Sequence, residues 1–226
     1  MLEQITDPKR NFLLGNLSDD AFSEISTYLK TIFLEPGQVL FSPGEEIDRI
    51  YFPHVGVISL ITVIDDGRQA ETASFGFESG FGLMAGIGYH AYRTNAVVQL
   101  PLIASTISSA HYRTAARNNV SFIELALRAN SFLLDQIQSI SACNALHTIE
   151  QRLSRWILLS SDRMRGSNLR HTQEMLATIL GVTRSSVSEV AAKMQTLGFI
   201  EYRRGLIKLI DRAQLEKLAC KCLEPS

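Results

Sequence analysis

Several features that would place a protein quickly are missing from this chain. Its 226 residues contain only three cysteines, Cys143, Cys220 and Cys222. An odd and sparse set of this kind argues against a disulfide framework and for a reducing compartment. No apolar stretch approaches the roughly 20 residues that span a bilayer. The longest, Val55 to Ile64, is interrupted by Ser59 and Thr62. The opening residues MLEQITDPKR lack the apolar core of a secretory signal. The expectation is a soluble cytoplasmic protein with no membrane partner. Catalytic patterns are missing too. The histidines are His54, His90, His111, His147 and His171, none spaced as the His-x-His with a downstream Glu that a metal-holding cupin barrel needs. No nucleophile–base motif or phosphate loop is present. No catalytic residue is assigned, and the chain is not expected to be an enzyme.

Positive charge is also scarce: the net charge is −1, which by itself argues against a nucleic-acid binder. Its distribution reverses that argument. Residues 147–226 carry 13 Lys and Arg against 8 Asp and Glu, a net +5, while residues 1–146 are at −6. A basic module joined to an acidic one suits DNA binding by one end only.

The basic end contains the most informative stretch, His171 to Arg204. Thr172 is a suitable N-cap for a helix whose apolar side is Met175, Leu176, Ile179 and Leu180. Gly181 ends that helix where a positive φ is tolerated. Thr183 caps a second helix, in which Val187, Ala191 and Met194 recur at i, i+4 and i+7 and point inward. Arg184, Ser185, Ser188 and Glu189 then face outward near its N-terminus, the positions that a helix-turn-helix presents to base edges in the major groove. A bare helical hairpin would be weak evidence. After Gly198, however, Phe199-Ile200-Glu201-Tyr202 alternates as a strand. Arg203-Arg204-Gly205 makes a basic turn, and Leu206 to Ile210 returns. That adds the wing of a winged helix. The DNA-binding candidates are Thr172, Gln173, Thr183, Arg184, Ser185, Ser188, Glu189, Arg203 and Arg204, with double-stranded DNA as the partner.

Ahead of this module the pattern changes. Residues 17–32 read as an amphipathic helix capped by Ser18. From Phe33 to about Ile107, short β-rich runs (Val39-Phe41, Ile50-Phe52, Gly56-Ile64, Ala96-Leu100 and Ile103-Ile107) are separated by turn signals such as Pro36-Gly37 and Asp65-Asp66-Gly67. The expected result is an all-β roll or barrel. A helix then runs from about Val120 to Leu146. At 1.5 Å per residue it would extend about 40 Å, more than such a domain needs for its own core. Ile123, Leu127, Asn130, Leu134, Ile137, Ser141 and Asn144 alternate by four and three along it. That is a heptad seam, with Asn130 and Asn144 of the polar kind that sets register. The seam reads as a parallel homodimer interface; a core helix packed on the roll is the competing reading. A last helix, roughly His147 to Ser161, leads into the DNA-binding module. On it Arg152 and Arg155 are expected to be solvated charges, or else phosphate contacts.

This succession resembles the family of the cyclic-AMP receptor protein and the fumarate-nitrate regulator, the Crp/Fnr regulators. The likeness covers nearly the whole chain. It is carried most specifically by Leu176-Ala177, Gly181-Val182-Thr183-Arg184, Val187-Ser188 and Gly198-Phe199-Ile200. Cys143 to His147, Glu150 to Leu153, Arg155-Trp156 and Cys220-Lys221-Cys222 are similar to a subgroup common in proteobacteria. The resemblance implies an α+β chain: a cyclic-nucleotide-binding-like β-roll over 1–119, a dimerisation helix over 120–146 and a winged helix-turn-helix over 147–226. It implies a homodimeric transcription regulator on a palindromic operator, with RNA polymerase as a partner and a roll that senses an effector or acts without one.

In the cyclic-AMP binders a Gly-Glu pair holds the ribose, and an Arg-Ser or Arg-Thr pair about ten residues on holds the phosphate. Arg93-Thr94 matches the second pair, but Gly82-Leu83 stands where the first belongs, and Glu78 is five residues out of register. Leu83 cannot accept a ribose hydroxyl's hydrogen bond, and burying that hydroxyl unpaired costs about 1–3 kcal/mol. Gln138 and Ser139 fall where the family contacts the base. With Gly82, Leu83, Arg93 and Thr94 they make up the candidate effector site. Weak or no binding of cyclic AMP is expected; a different small anion, or a pocket filled by its own side chains among them Tyr89, His90 and Tyr92, remain as readings. No cysteine precedes Cys143, so the N-terminal iron–sulfur cluster of the oxygen sensors is not expected. His54 and His90 are weak haem-ligand candidates. Cys220-Lys221-Cys222 has too few ligands nearby in sequence for zinc and reads as an incidental tail, with a redox or metal role as the other reading. Two further functions compete with the regulator: a metal-dependent cupin-like enzyme, and a cyclic-nucleotide-regulated scaffold with no DNA role.

Overall fold

Strand-forming residues dominate from Lys30 to Ser108. In the computed structural model, which describes residues 5–89 and 93–222, they form fewer and longer strands than the turn signals suggest. Ile50-Phe52 and Gly56-Ile64 fuse into β3 (Arg49–Val63), and the two later runs fuse into β5 (Asn95–Ser108); the others are β1 (Lys30–Leu34), β2 (Val39–Phe41) and β4 (Gln69–Phe75). The sheet order is β1-β5-β3-β4, with β2 also pairing β5. Gly56 explains one fusion. It sits inside β3 at φ +100°, and a Cβ there would lie 2.2 Å from the Pro101 carbonyl oxygen on β5. The interruption that looks like a strand end is a close crossing of two strands that only glycine permits.

The early helix is shorter than its amphipathic pattern suggests. It is α1 (Asp19–Ser26), with Ser18 Oγ accepting from the Ala21 N–H at 3.2 Å. Lys30–Leu34 belongs instead to β1, antiparallel to β5 with Ile32 opposite Ala104. The β-branched Thr31 and Ile32 gain more from cross-strand partners than from a helix whose stripe they merely continue.

The chain divides into two compact units, Met1–Leu60 with Ser74–Asp135, and Ile61–Ala73 with Gln136–Ser226. The first is built on Leu14, Ile25, Ile50, Phe52, Ile107, Tyr112 and Phe122, all fully or almost fully buried. Burying each such side chain contributes about 1.5–3 kcal/mol. Tyr112, on α2 (Ser109–Asn118), stacks edge-on against Phe122 and donates its hydroxyl to the Phe122 carbonyl at 2.8 Å. Its polar tip is therefore satisfied inside the core.

Helix α3 (Ser121–Leu146) follows the expected bounds within one residue. Phe122, Leu125, Ala126, Ala129 and Leu133 are buried along one side of its first half. The seven seam residues, Ile123, Leu127, Asn130, Leu134, Ile137, Ser141 and Asn144, are all exposed. The core reading holds for one face of this helix, and a second apolar face is exposed among the described residues. Next comes α4 (Ile149–Met164), entered two residues later than expected because Thr148 and Gln151 form a reciprocal capping box. No helix among the described residues is long and apolar enough to cross a membrane.

The sequence offers two weak haem-ligand candidates, His54 and His90. His54 proves to be structural: it is fully buried, with Nε2 accepting from the Ser105 N–H at 3.1 Å and Nδ1 facing the Ile5 carbonyl at 3.0 Å. Nδ1 therefore carries the proton, both nitrogens are engaged, and burial lowers the pKa. It has no lone pair to offer a haem. His90, with Tyr92, lies outside the described residues.

Candidate nucleic-acid interface

Helix α5 (Gln173–Leu180) starts at Thr172, whose hydroxyl oxygen accepts from the Met175 N–H at 3.2 Å. It stops at Gly181 in the left-handed region, φ +61°. Gly181 N–H donates to the Thr178 carbonyl and Val182 N–H to the Ala177 carbonyl, a complete Schellman closure. Thr183 then caps α6 (Arg184–Thr196), accepting from the Ser186 N–H at 3.3 Å. Leu176, Ile179 and Leu180 of α5 and Val187, Ala191 and Met194 of α6 are buried. This is the inward set that the apolar spacing requires, and it turns Arg184, Ser185 and Glu189 to the exterior.

The wing follows. Strands β7 (Ile200–Arg203) and β8 (Leu206–Leu209) pair in register, Arg203 opposite Leu206, and β6 (Asn168–Arg170) adds a third strand along β8. The turn is only two residues, Arg204-Gly205, both at positive φ (+49° and +75°). That is the I′ geometry that matches strand twist. Arg203 belongs to the strand rather than to the turn and faces Glu201 at 3.5 Å.

Within this unit the structure brings four of the nine sequence candidates to one groove. Thr172, Gln173, Arg184 and Arg204 line one open groove with Glu174, Tyr202 and Gly205. The groove joins the start of α5, the start of α6 and the tip of the wing, so two helix N-termini and two guanidinium groups converge on it. Ser188 is half-buried and donates to Gln173 Oε1 at 2.6 Å, so these two act as a pair. Ser185 Oγ shares a 2.9 Å hydrogen bond with the capping Thr183 hydroxyl.

Three residues missed in the sequence organise the wing. The Tyr202 hydroxyl donates to the His171 carbonyl at 2.7 Å, and Gln195 Oε1 accepts from the Tyr202 N–H at 2.7 Å. His171 N–H donates to the Gly205 carbonyl at 2.7 Å. Burial pushes the Tyr202 phenol up to about 12, with Arg184 pulling the other way, so the hydroxyl keeps the proton it donates. His171 is buried with its ring near Trp156, and burial lowers its pKa to about 4. Tyr202 sits at an alternating position that pattern reading assigns to a strand face and nothing more.

Two expectations from the sequence require correction. Arg152 is neither solvated nor a phosphate contact: it is buried and donates to the Leu180 carbonyl at the end of α5. Arg155, on the same helix, is half-buried rather than solvated. Cys220 and Cys222 are not short of ligands, because the fold carries Cys143 and His147 to them.

The effector candidates are less coherent. Gly82 and Leu83 are buried, Leu83 in a one-turn helix where its side chain is 2% exposed. Arg93 is exposed, and Thr94 Oγ1 is buried without a hydrogen-bond partner among the described residues. Glu78 Oε1 accepts from the Gly76 N–H at 3.1 Å and so serves its own turn. On α3, Gln138 is exposed and Ser139 half-buried.

Comparison with known proteins adds to this geometry. Residues 31–119 match the cyclic nucleotide-binding domain family, and residues 151–218 match the Crp-like helix-turn-helix domain family. No curated protein matches in sequence. Among solved structures, FixK2 from Bradyrhizobium japonicum aligns with a TM-score of 0.71 at 16% identity, covering 85% of this chain and 98% of that one. A Crp-family transcriptional regulator from Thermus thermophilus aligns at 0.70 with 21% identity, covering 86% and 100%. The c-di-GMP-responsive global regulator Clp from Xanthomonas campestris aligns at 0.65 with 18% identity, covering 85% and 99%. Identities this low speak to the fold, which is common to all three. With the two domain families in sequence order and the helix-turn-helix and wing built as described, the chain belongs to the Crp/Fnr family of DNA-binding transcription regulators.

Proposed function

We propose that this regulator acts in the cytoplasm as a homodimer joined along α3, and binds a palindromic operator through two copies of α6. The observation that carries the dimer is the second apolar face of α3. Leu127 and Leu134 are 53% and 52% exposed, in line with Ile123 and Ile137, while the opposite face is buried. A stripe of that kind along a helix is a heptad seam awaiting an equivalent seam. Two-fold symmetry then spaces the half-sites about one helical turn, roughly 34 Å, apart. Arg184, Glu189 and the Gln173–Ser188 pair face the bases, and Arg203 and Arg204 face phosphates. RNA polymerase is the further partner.

The roll is proposed to respond to a ligand other than cyclic AMP, or to none. Leu83 fills with carbon the place where a ribose acceptor would be needed, and Arg93 is left as the one positive group of the matching pair. A small anionic effector is proposed to meet Arg93 and the Thr94 hydroxyl, which has no partner among the described residues. Light scattering and binding to a palindromic DNA fragment test the dimer. Leu134→Lys is expected to give monomers and to abolish tight binding, and a dimer that survives the change overturns the seam.

A further inference from the structure

One cluster of side chains has no part in DNA reading. Cys143 lies near the end of α3 and His147 four residues on, and the His147 N–H still donates to the Cys143 carbonyl at 3.0 Å. Both side chains therefore share one face of a continuing helical turn. After α7 (Arg212–Leu218) the chain returns to this corner and presents Cys220 and Cys222, with exposed Lys221 between them. The three sulfurs and one imidazole nitrogen all lie within 4.8 Å of one another.

Their spacing is informative. Cys143 Sγ is 3.7 Å from Cys220 Sγ, and Cys222 Sγ is 3.5 Å from His147 Nδ1. A tetrahedron with zinc–sulfur bonds of about 2.3 Å and a zinc–nitrogen bond of about 2.0–2.1 Å has sulfur–sulfur edges of about 3.8 Å and sulfur–nitrogen edges of about 3.5 Å. These two edges of the cluster have those lengths without any ion present. A polynuclear iron–sulfur cluster would need its ligands spread over more than one iron, and this set is too compact.

A second observation concerns charge. Arg152 Nε and Arg155 Nε and Nη1 are buried without hydrogen-bond partners among the described residues. Arg155 lies within electrostatic reach of Cys143, and Arg152 within reach of Cys143 and Cys220. Guanidinium nitrogens buried without a hydrogen-bond partner are costly. Three thiolates and a neutral imidazole around a divalent ion carry a net charge of −1, a favourable neighbour for these guanidinium groups.

We propose that Cys143, His147, Cys220 and Cys222 form a Cys3His site that binds one Zn2+ per chain. Binding releases three thiol protons. With four protein ligands the site is closed, so it is structural rather than catalytic. It staples the segment after α7 to the corner between α3 and α4, next to the Thr148 cap. This inference stands apart from the operator and effector readings above.

The test uses the full chain without a metal-binding tag. Metal analysis of the purified protein should find one zinc per chain. Replacement with Co2+ should give the intense visible bands of a tetrahedral site, together with sulfur-to-cobalt charge transfer for three thiolates. Cys222→Ser and His147→Gln, both at partly exposed positions and checked for fold by circular dichroism, should lose stoichiometric binding. Retention of copper or iron in place of zinc overturns the assignment. So does a cobalt spectrum unchanged by Cys222→Ser, or a metal-free chain in which Cys143 and Cys220 are joined as a disulfide.

Discussion

Ser188 on the recognition helix donates a 2.6 Å hydrogen bond to Gln173 at the start of the preceding helix. A residue that could read a base is therefore held by another that could do the same. Gln173 fixes the Ser188 hydroxyl through its Oε1, and its amide N–H groups take no part in that bond. Ser188→Ala and Gln173→Ala should each cost about 0.5–1.5 kcal/mol of stability, with a double mutant costing less than the sum. Urea unfolding of the four proteins measures the coupling. Strict additivity would mean that the bond contributes nothing.

Arg184 and Arg204 line the same groove but should behave differently. A guanidinium on the recognition helix can bond guanine O6 and N7 together, so Arg184→Ala should cost about 1–3 kcal/mol on the operator and relax one position per half-site. Arg204→Ala should weaken all sequences alike and lower the salt slope by about 0.9. Arg204→Asn, which tolerates the positive φ of this turn, separates lost charge from lost turn geometry. Arg203 already faces Glu201, so its removal should matter less than that of Arg204. Fluorescence anisotropy on specific and random DNA over a salt series distinguishes these effects. Equal losses on both DNAs for Arg184→Ala would make it a phosphate contact.

His171 is expected to make this module sensitive to acid. Burial lowers its pKa to about 4, against 6.5 in an exposed chain. As pH falls the unfolded chain takes up the proton first. The stabilisation is complete above about pH 6.5 and is lost as pH drops from there through about 4, an effect on the order of 3 kcal/mol. Thermal or urea unfolding at pH 7 and pH 4.5 should show this loss, and His171→Asn should remove most of the difference. An unchanged pH profile in the variant would place the acid sensitivity elsewhere.

Cyclic AMP and cyclic GMP should bind weakly or not at all in calorimetry, because Leu83 has no acceptor for the ribose hydroxyl. Restoring a carboxylate with Leu83→Glu is not expected to rescue binding, since the position is buried and an unpaired charge there would destabilise the roll. Micromolar binding to the unaltered protein that disappears with Arg93→Ala would show that another group does the work of the missing Glu.

Local spacing decided much of this protein. Thr172, Gly181 and Thr183 mark helix ends through their own backbone and hydroxyl chemistry, and Val187, Ala191 and Met194 choose the buried face of α6. The exposed α3 seam and its buried opposite face were legible for the same reason, since helix period converts sequence interval directly into direction. Strand extent was not. Gly56 reads as a break until the approach of Pro101 shows why a glycine sits inside a continuous strand. Lys30–Leu34 chose β5 as a partner across more than sixty residues, which no local pattern records. Longer-range relationships were the least visible. Cys143 and Cys220 are 77 residues apart, and only the return of the chain after α7 sets their sulfurs 3.7 Å from each other. Arg152 looked like one more surface charge until the fold closed over it. Periodicity reports which way a side chain points, whereas its partner is set by packing between segments that are distant in the sequence.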